Sequence, residues 1–482
     1  MKRNWKIFYA SYEGPEKRAV DLIYKEVGNY FLRDVGVYSY HTIGCENVGE
    51  VCEENAIVLG TYAKNKILQK HIRKDEVPAD GYVVKVMNNP EYPEYKLVLI
   101  CGDTPAAVFY GTVDFLDDYL AKATPSFDAY IHLPNELFQH PLPDYYIATS
   151  PDFKTRSVFT WGHPIDDYQE YIANLARLKL NQVIIWNDYL PLNSEDIVAY
   201  AHSYGMEVIW GYAWGWGFNC METNVNNLDE LKQQIVDEFN RTYRNVGGDG
   251  IYFQSFTELP VSHINGVKIS EAVVDLVNQT ASVLLEDNPN LHIQFGLHAS
   301  SVRNSLEDIA RVDKRIEIVW EDCGGFPYKS WPDEFNGFHS LEQFESQYDF
   351  ADKIIELRGN GQTGIVYKGM LTMDWSRGRV THQVGPYVMG KVSDAIKQSD
   401  DNLISKAWRV FSAEWMEDGK YVHDLTRHIK EKTDGNVNMC MAGMFSGGVW
   451  FPTALCAELY WDSSASYEDI RKKVLKRNWV RV

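Results

Sequence analysis

The chain has 482 residues, 45% of them hydrophobic and 13% aromatic, which is more than one ordinary domain and speaks against a disordered chain. A formal net charge of -20 argues against a nucleic-acid partner, because phosphate contacts need clustered Lys and Arg. The seven cysteines are scattered without a CxxC pair or a Cys/His block, so they read as reduced thiols rather than a disulfide framework or a zinc set.

The amino terminus lacks the apolar core of a signal peptide, and no apolar run reaches the ~18 residues needed to span a membrane. A cytoplasmic protein without a membrane partner is therefore expected. Residues 1–125 mix strand-like runs ("ENAIVLGTY", "YKLVLICG") with a helix, "TPAAVFYGTVDFLDDYLAK", that opens on a Thr-Pro start. They predict a small α+β module. A Pro-rich passage over 126–154 reads as a linker or connecting strand.

After it the rhythm changes. Strand-like "TRSVFTW", "QVIIWND", "EVIWGYAWGWG", "GIYFQSFTEL", "HIQFGLHASS", "RIEIVWEDCGG" and "TGIVYKGMLTMDW" alternate with helical segments, which is the signature of parallel strands joined by helical crossovers. No G-x-G-x-x-G or P-loop follows a strand, so the pattern predicts a (β/α)8 TIM-like barrel over 155–384 rather than a nucleotide-binding sheet. Seven strands are countable and the eighth is not clear, with "GMLTMDW" as a candidate. Residues 385–482 predict a helical C-terminal region.

Almost every one of these strands ends in polar or aromatic residues, and in a barrel those ends converge on one mouth. Glu258 ends the fourth, flanked by Phe253, Phe256 and Leu259, an apolar setting that suits a general acid. Glu321 and Asp322 close the sixth, Asp188 the second, and Asp374 lies near the expected eighth. Several carboxylates in a mouth lined by tryptophans are what glycosidic cleavage requires: one protonates the leaving oxygen, another attacks or activates water, and flat rings stack on sugars. Trp161, Trp186, Tyr212, Trp214, Trp216, Trp320 and Trp375 are the aromatic candidates, about half of them expected to be structural because strand side chains alternate faces. His298, Lys368 and Arg377 complete the expected substrate-binding set. No H-E-x-x-H motif or close His pair supports a metal, and no G-x-S-x-G elbow supports a serine nucleophile, so no cofactor is expected.

At these residues the chain resembles a known group. "YIANLARLKLNQVIIWND" and "YGMEVIWGYAWGWG" look like the second and third barrel units of the α-glucuronidases of glycoside hydrolase family 67. "GIYFQSFTELP" is similar to the fourth-strand segment that carries their Ser-Glu, with Thr257-Glu258 in its place. The front module, through "GDTPAAVFYGTVDFLDDYL", resembles the small domain that precedes the barrel in those enzymes and in the β-N-acetylhexosaminidases. The resemblance makes Glu258 the acid. Hexosaminidases that use the substrate's acetamido group carry an Asp before that Glu, and Thr257 occupies the position here. The expectation is therefore an exo-acting glycosidase on an oligosaccharide substrate, with Glu258 as acid, Glu321 or Asp322 as base or nucleophile, and a terminal uronic acid ahead of an N-acetylhexosamine. A glycan-binding barrel without turnover is the non-enzymatic alternative, and assembly as a homo-oligomer is compatible with either.

Overall fold

The computed structural model describes residues 5–30, 41–44, 50–51, 53–120, 142–160, 165, 167–186, 190–215, 225–259, 261–298, 302, 305–321, 347–359, 361–367, 394–442 and 448–482. The chain forms two compact units, one of Met1–Pro151 with His202–Gly205, the other of Asp152–Ala201 with Met206–Val482.

The first unit is built on six strands: β1 (Trp5–Tyr9), β2 (His41–Gly44), β3 (Asn55–Thr61), β4 (Tyr82–Asn88), β5 (Lys96–Gly102) and β6 (Tyr145–Thr149). Their order in the sheet is β2-β1-β3-β5-β4-β6, with β4 antiparallel to both its neighbours. β3 is buried along its whole length, as its unbroken apolar run requires. Thr104 caps helix Pro105–Asp114, its hydroxyl accepting from the amide of Ala107 with Pro105 in the first turn, so the Thr-Pro start works as the sequence suggests. β6 lies within the stretch expected to be a linker. Its place is the edge of this sheet, beside β4, so the unit extends to about residue 151 rather than 125.

The second unit is a closed barrel. Its first four strands are β7 (Arg156–Phe159), β8 (Gln182–Trp186), β9 (Glu207–Gly211) and β10 (Gly250–Phe253). A short hairpin outside the ring, β11 (His263–Ile264) with β12 (Val267–Lys268), follows β10. The barrel then continues through β13 (His292–His298), β14 (Ile316–Glu321), β15 (Thr363–Tyr367) and β16 (Asn438–Ala442). All barrel neighbours pair in parallel, and β16 closes the ring against β7. The seven strands read from sequence are the first seven of the barrel.

The eighth is a correction. It is Asn438–Ala442, inside the region assigned to a helical extension, whereas "GMLTMDW" lies outside the described residues. The barrel therefore runs past 384. Within the region expected to be helical, one helix, Asp394–Thr433, lies between β15 and β16. After the closing strand, β17 (Val449–Trp450) pairs with β18 (Val480–Arg481), and between them run helices Phe451–Trp461 and Tyr467–Leu475.

Inside the barrel, alternation sends Ser157, Gln182, Glu207, His292, Glu317 and Asn438 inward near the starts of their strands. They join one network: the Gln182 amide donates to Glu207 at 2.8 Å, that of Asn438 to Glu317 at 2.8 Å, and His292 Nε2 lies 2.9 Å from the other Glu317 oxygen. The two strands without a polar side chain there, β10 and β15, carry Gly250 and Gly364. A Cβ on Gly364 would sit 2.8 Å from Glu317 Oε1, so the glycine makes room for the carboxylate.

Candidate active site

At the opposite end of the barrel, the same alternation points Tyr252 and Gln254 from the fourth strand segment, His298 from the fifth and Glu321 from the sixth toward the interior. They meet at Glu321, which is fully buried. Its Oε1 accepts from the Tyr252 hydroxyl at 2.8 Å and from the Gln254 amide, and its Oε2 lies 2.7 Å from His298 Nε2. A carboxylate taken out of water survives when donors surround it, and among the described residues three surround this one. Burial, then the nearby Glu321 charge, pushes the Tyr252 phenol well above its ordinary range, which keeps it a proton donor to Glu321.

Glycine makes this reach geometrically possible. Tyr252 stands on β10 and Glu321 on β14, with β13 between them. Residue 296 of that middle strand is Gly, and a Cβ there would fall 1.7 Å from the Tyr252 hydroxyl oxygen. Gly211 does the same for Trp186, whose ring would meet a Cβ at 2.7 Å. Trp186 then sets its ring edge-to-face with Tyr252, centroids 5.6 Å apart, while Phe159 packs on Tyr252 at 4.8 Å. Together they form an aromatic floor beneath the mouth, with Trp186 only 4% exposed.

Glu258 ends a single 3-10 turn, Phe256–Glu258, that follows the fourth strand, and its side chain lies outside the described residues. The turn is anchored from below. Phe256 is fully buried, and the Ser255 hydroxyl donates to the Trp214 carbonyl at 3.0 Å. Gly215 approaches Phe256 with φ +89, where a Cβ would come within 3.0 Å of the ring, so a larger residue would be both strained and crowded.

Three expected sugar-binding aromatics are corrected. Trp320 alternates with inward-facing Glu321, so it points outward to the helix layer and is fully buried. Trp214 is fully buried and stacks on Phe253, which stacks in turn on Phe295. Tyr212 stacks on Tyr243, and its hydroxyl faces the Ile235 carbonyl at 3.4 Å. All three seal strands against helices and present no face to a ligand. Glu321, the expected base or nucleophile, has no exposure and faces donors on both oxygens, a setting that suits a carboxylate positioning its neighbours.

Trp161, Asp188, Trp216, Asp322, Lys368, Asp374, Trp375 and Arg377 lie outside the described residues. Among the described residues no cluster of three or more His, Cys, Asp or Glu could hold a metal ion, and no helix is long and apolar enough to cross a membrane. Sequence reasoning missed Tyr252, Gln254 and Gly296. The alternation along "GIYFQ" carried the signal for the first two, but not which face looked inward.

No family model and no curated protein matches the sequence. Solved structures do share its fold. One, described as "Structure of CpGH84B", superposes with a TM-score of 0.53 at 10% identity, covering 98% of this chain and 70% of that one. Another, described as a GH138 enzyme targeting pectin rhamnogalacturonan II, gives 0.52 at 8% identity, covering 97% of this chain and 52% of that one. A third, "Structure of CpGH84D", gives 0.45 at 13% identity over 76% of this chain. The chain spans 57% of the length of CpGH84D and 52% of that of the GH138 enzyme. For the two with TM-scores above 0.5 the likeness at such identities is one of architecture, and it is that of the eight-stranded α/β barrel.

Proposed function

We propose that the chain is a glycoside hydrolase that removes a terminal sugar, with a uronic acid as the first choice, at the carboxyl-end mouth of the barrel. The observation that carries this reading is the cluster on Glu321: a buried carboxylate holding a tyrosine, a glutamine and a histidine at the mouth ends of three adjacent strands, with Glu258 on the turn that follows the first of them. Barrel enzymes assemble their sites from several strand ends in this way. The GH84 and GH138 designations of the proteins that share the fold support the same class, and the pectin target of the GH138 enzyme fits an acidic sugar. Fold alone does not determine chemistry, so the residues bear most of the weight.

In this reading Glu258 protonates the leaving oxygen. The second carboxylate's role passes from Glu321 to Asp322, next in the chain. Lys368 and Arg377 are the cationic candidates for the uronate group. An N-acetylhexosamine is the less supported choice, since Thr257, itself nearly buried, stands where acetamido-assisted enzymes carry an aspartate.

The test incubates the protein and Glu258→Gln with short oligosaccharides capped by glucuronic acid, N-acetylglucosamine, N-acetylgalactosamine or neutral sugars, following release by NMR. Release of one cap, lost in the variant, is the expected result. Binding of a cap by both proteins alike without release would replace the enzyme by a glycan-binding module.

A further inference from the structure

Gln254 uses half of its amide. Its Nε2 donates to Glu321 and to the Tyr252 hydroxyl oxygen at 3.1 Å, while its Oε1, in a residue 3% exposed, has no hydrogen-bond partner among the described residues. A buried carbonyl oxygen without a donor carries its full desolvation penalty. Turning the amide over would not relieve it. The flip would press Oε1 against the Glu321 carboxylate, and the Tyr252 proton is already committed to Glu321.

Position separates this orphan from a similar one. Gln294 Oε1 also lacks a partner among the described residues, but the Gln294 amide binds Gln182 at the start of β8, toward the polar network at the amino end of the barrel. Gln254 lies just past the carboxyl end of β10, four residues before Glu258. There a ligand can supply the missing donor.

Resting on the glycosidase reading, we infer that Gln254 Oε1 accepts a hydrogen bond from a ring hydroxyl of the terminal sugar, with Glu321 as the positioning residue that fixes the amide's orientation. An acceptor oxygen repels a carboxylate, so of a uronic acid it takes a hydroxyl and leaves the acid group to cations elsewhere. It is a specificity device. A site built around a donor it must receive rejects the analogue that lacks it far more strongly than an apolar pocket does.

The experiment takes the glycoside released fastest and compares its single-deoxy analogues in the full-length protein, in Gln254→Leu and in Glu321→Gln. In the unmodified protein one deoxy analogue should lose about 10⁴-fold in kcat/KM. In Gln254→Leu that penalty should shrink to within about threefold of the parent sugar, while the other analogues keep their order. Glu321→Gln, which no longer enforces the orientation, should blunt discrimination at the same hydroxyl alone; a merely structural role would depress all analogues equally. Identical deoxy profiles in all three proteins overturn the inference and leave the glycosidase reading intact. So does an unmodified protein indifferent to every hydroxyl, a result that needs no folded variant. Release of no sugar at all, with none bound by Glu258→Gln, removes the glycosidase reading and this inference with it.

Discussion

The two ends of the barrel each hold a buried polar network, and they are organised differently. At the base, polar side chains from six strands bond across the ring, and His292 sits between Glu207 and Glu317, with Glu207 half exposed. At the mouth, among the described residues, one carboxylate with no exposure gathers three donors from neighbouring strands, and one of those residues keeps an acceptor without a partner. The base uses its charges to hold strands together. The mouth uses its charge to aim side chains, which is the division expected between the stabilising and functional faces of such barrels.

Substitutions should separate the two ends. The largest effect expected is on turnover: Glu258→Gln should lower kcat by about 10³-fold with melting temperature unchanged, because removing a general acid costs in that range. Next comes Glu321→Ala, which leaves three donors facing a hole and should lower stability by about 3 kcal/mol together with activity, measured by urea unfolding and sugar release. Gly296→Ala should cost about 2 kcal/mol and most of the activity, since its methyl would occupy the space of the Tyr252 hydroxyl. A stable Gly296→Ala protein with normal kcat/KM would show that the Tyr252 to Glu321 reach is dispensable.

The base should respond to pH. Burial by itself would lower the His292 pKa, but the carboxylates of Glu207, 3.9 Å away, and Glu317, hydrogen-bonded at 2.9 Å, outweigh it and push the pKa up to about 10, from an ordinary 6.5. A group raised in the folded state stabilises fully below its unfolded value and loses that contribution as pH climbs through the folded one. Stability should therefore fall between about pH 6.5 and 10, by about 1–2 kcal/mol given partial exposure of the pair to water. In His292→Gln the slope should flatten while kcat at pH 7 stays within about twofold; equal slopes would move the effect elsewhere. The smallest effect is that of Trp320→Phe, which should leave KM for the sugar unchanged within about twofold, because that ring faces helices.

Much of this was legible in the chain itself. Parallel strands of four to seven residues, buried on both faces, read as apolar runs, so seven barrel strands and the Thr104-capped helix could be placed from local pattern. The closing strand could not: "NMCMA" is five residues without a β-branched side chain, preceded by a 40-residue helix, and becomes a strand because β15 and β7 leave a gap with its backbone hydrogen bonds open. Glu258 could be proposed from sequence because an acid after an apolar run is a local signal. The cluster on Glu321 could not be, since Tyr252 and Glu321 are 69 residues apart and meet across a glycine on a third strand. Local composition and periodicity determine which segments are strands and which end in polar groups. Which side of each strand faces the barrel interior, and which tryptophan turns inward and which seals a helix, is decided when eight strands close and a single register assigns every alternate side chain to inside or out.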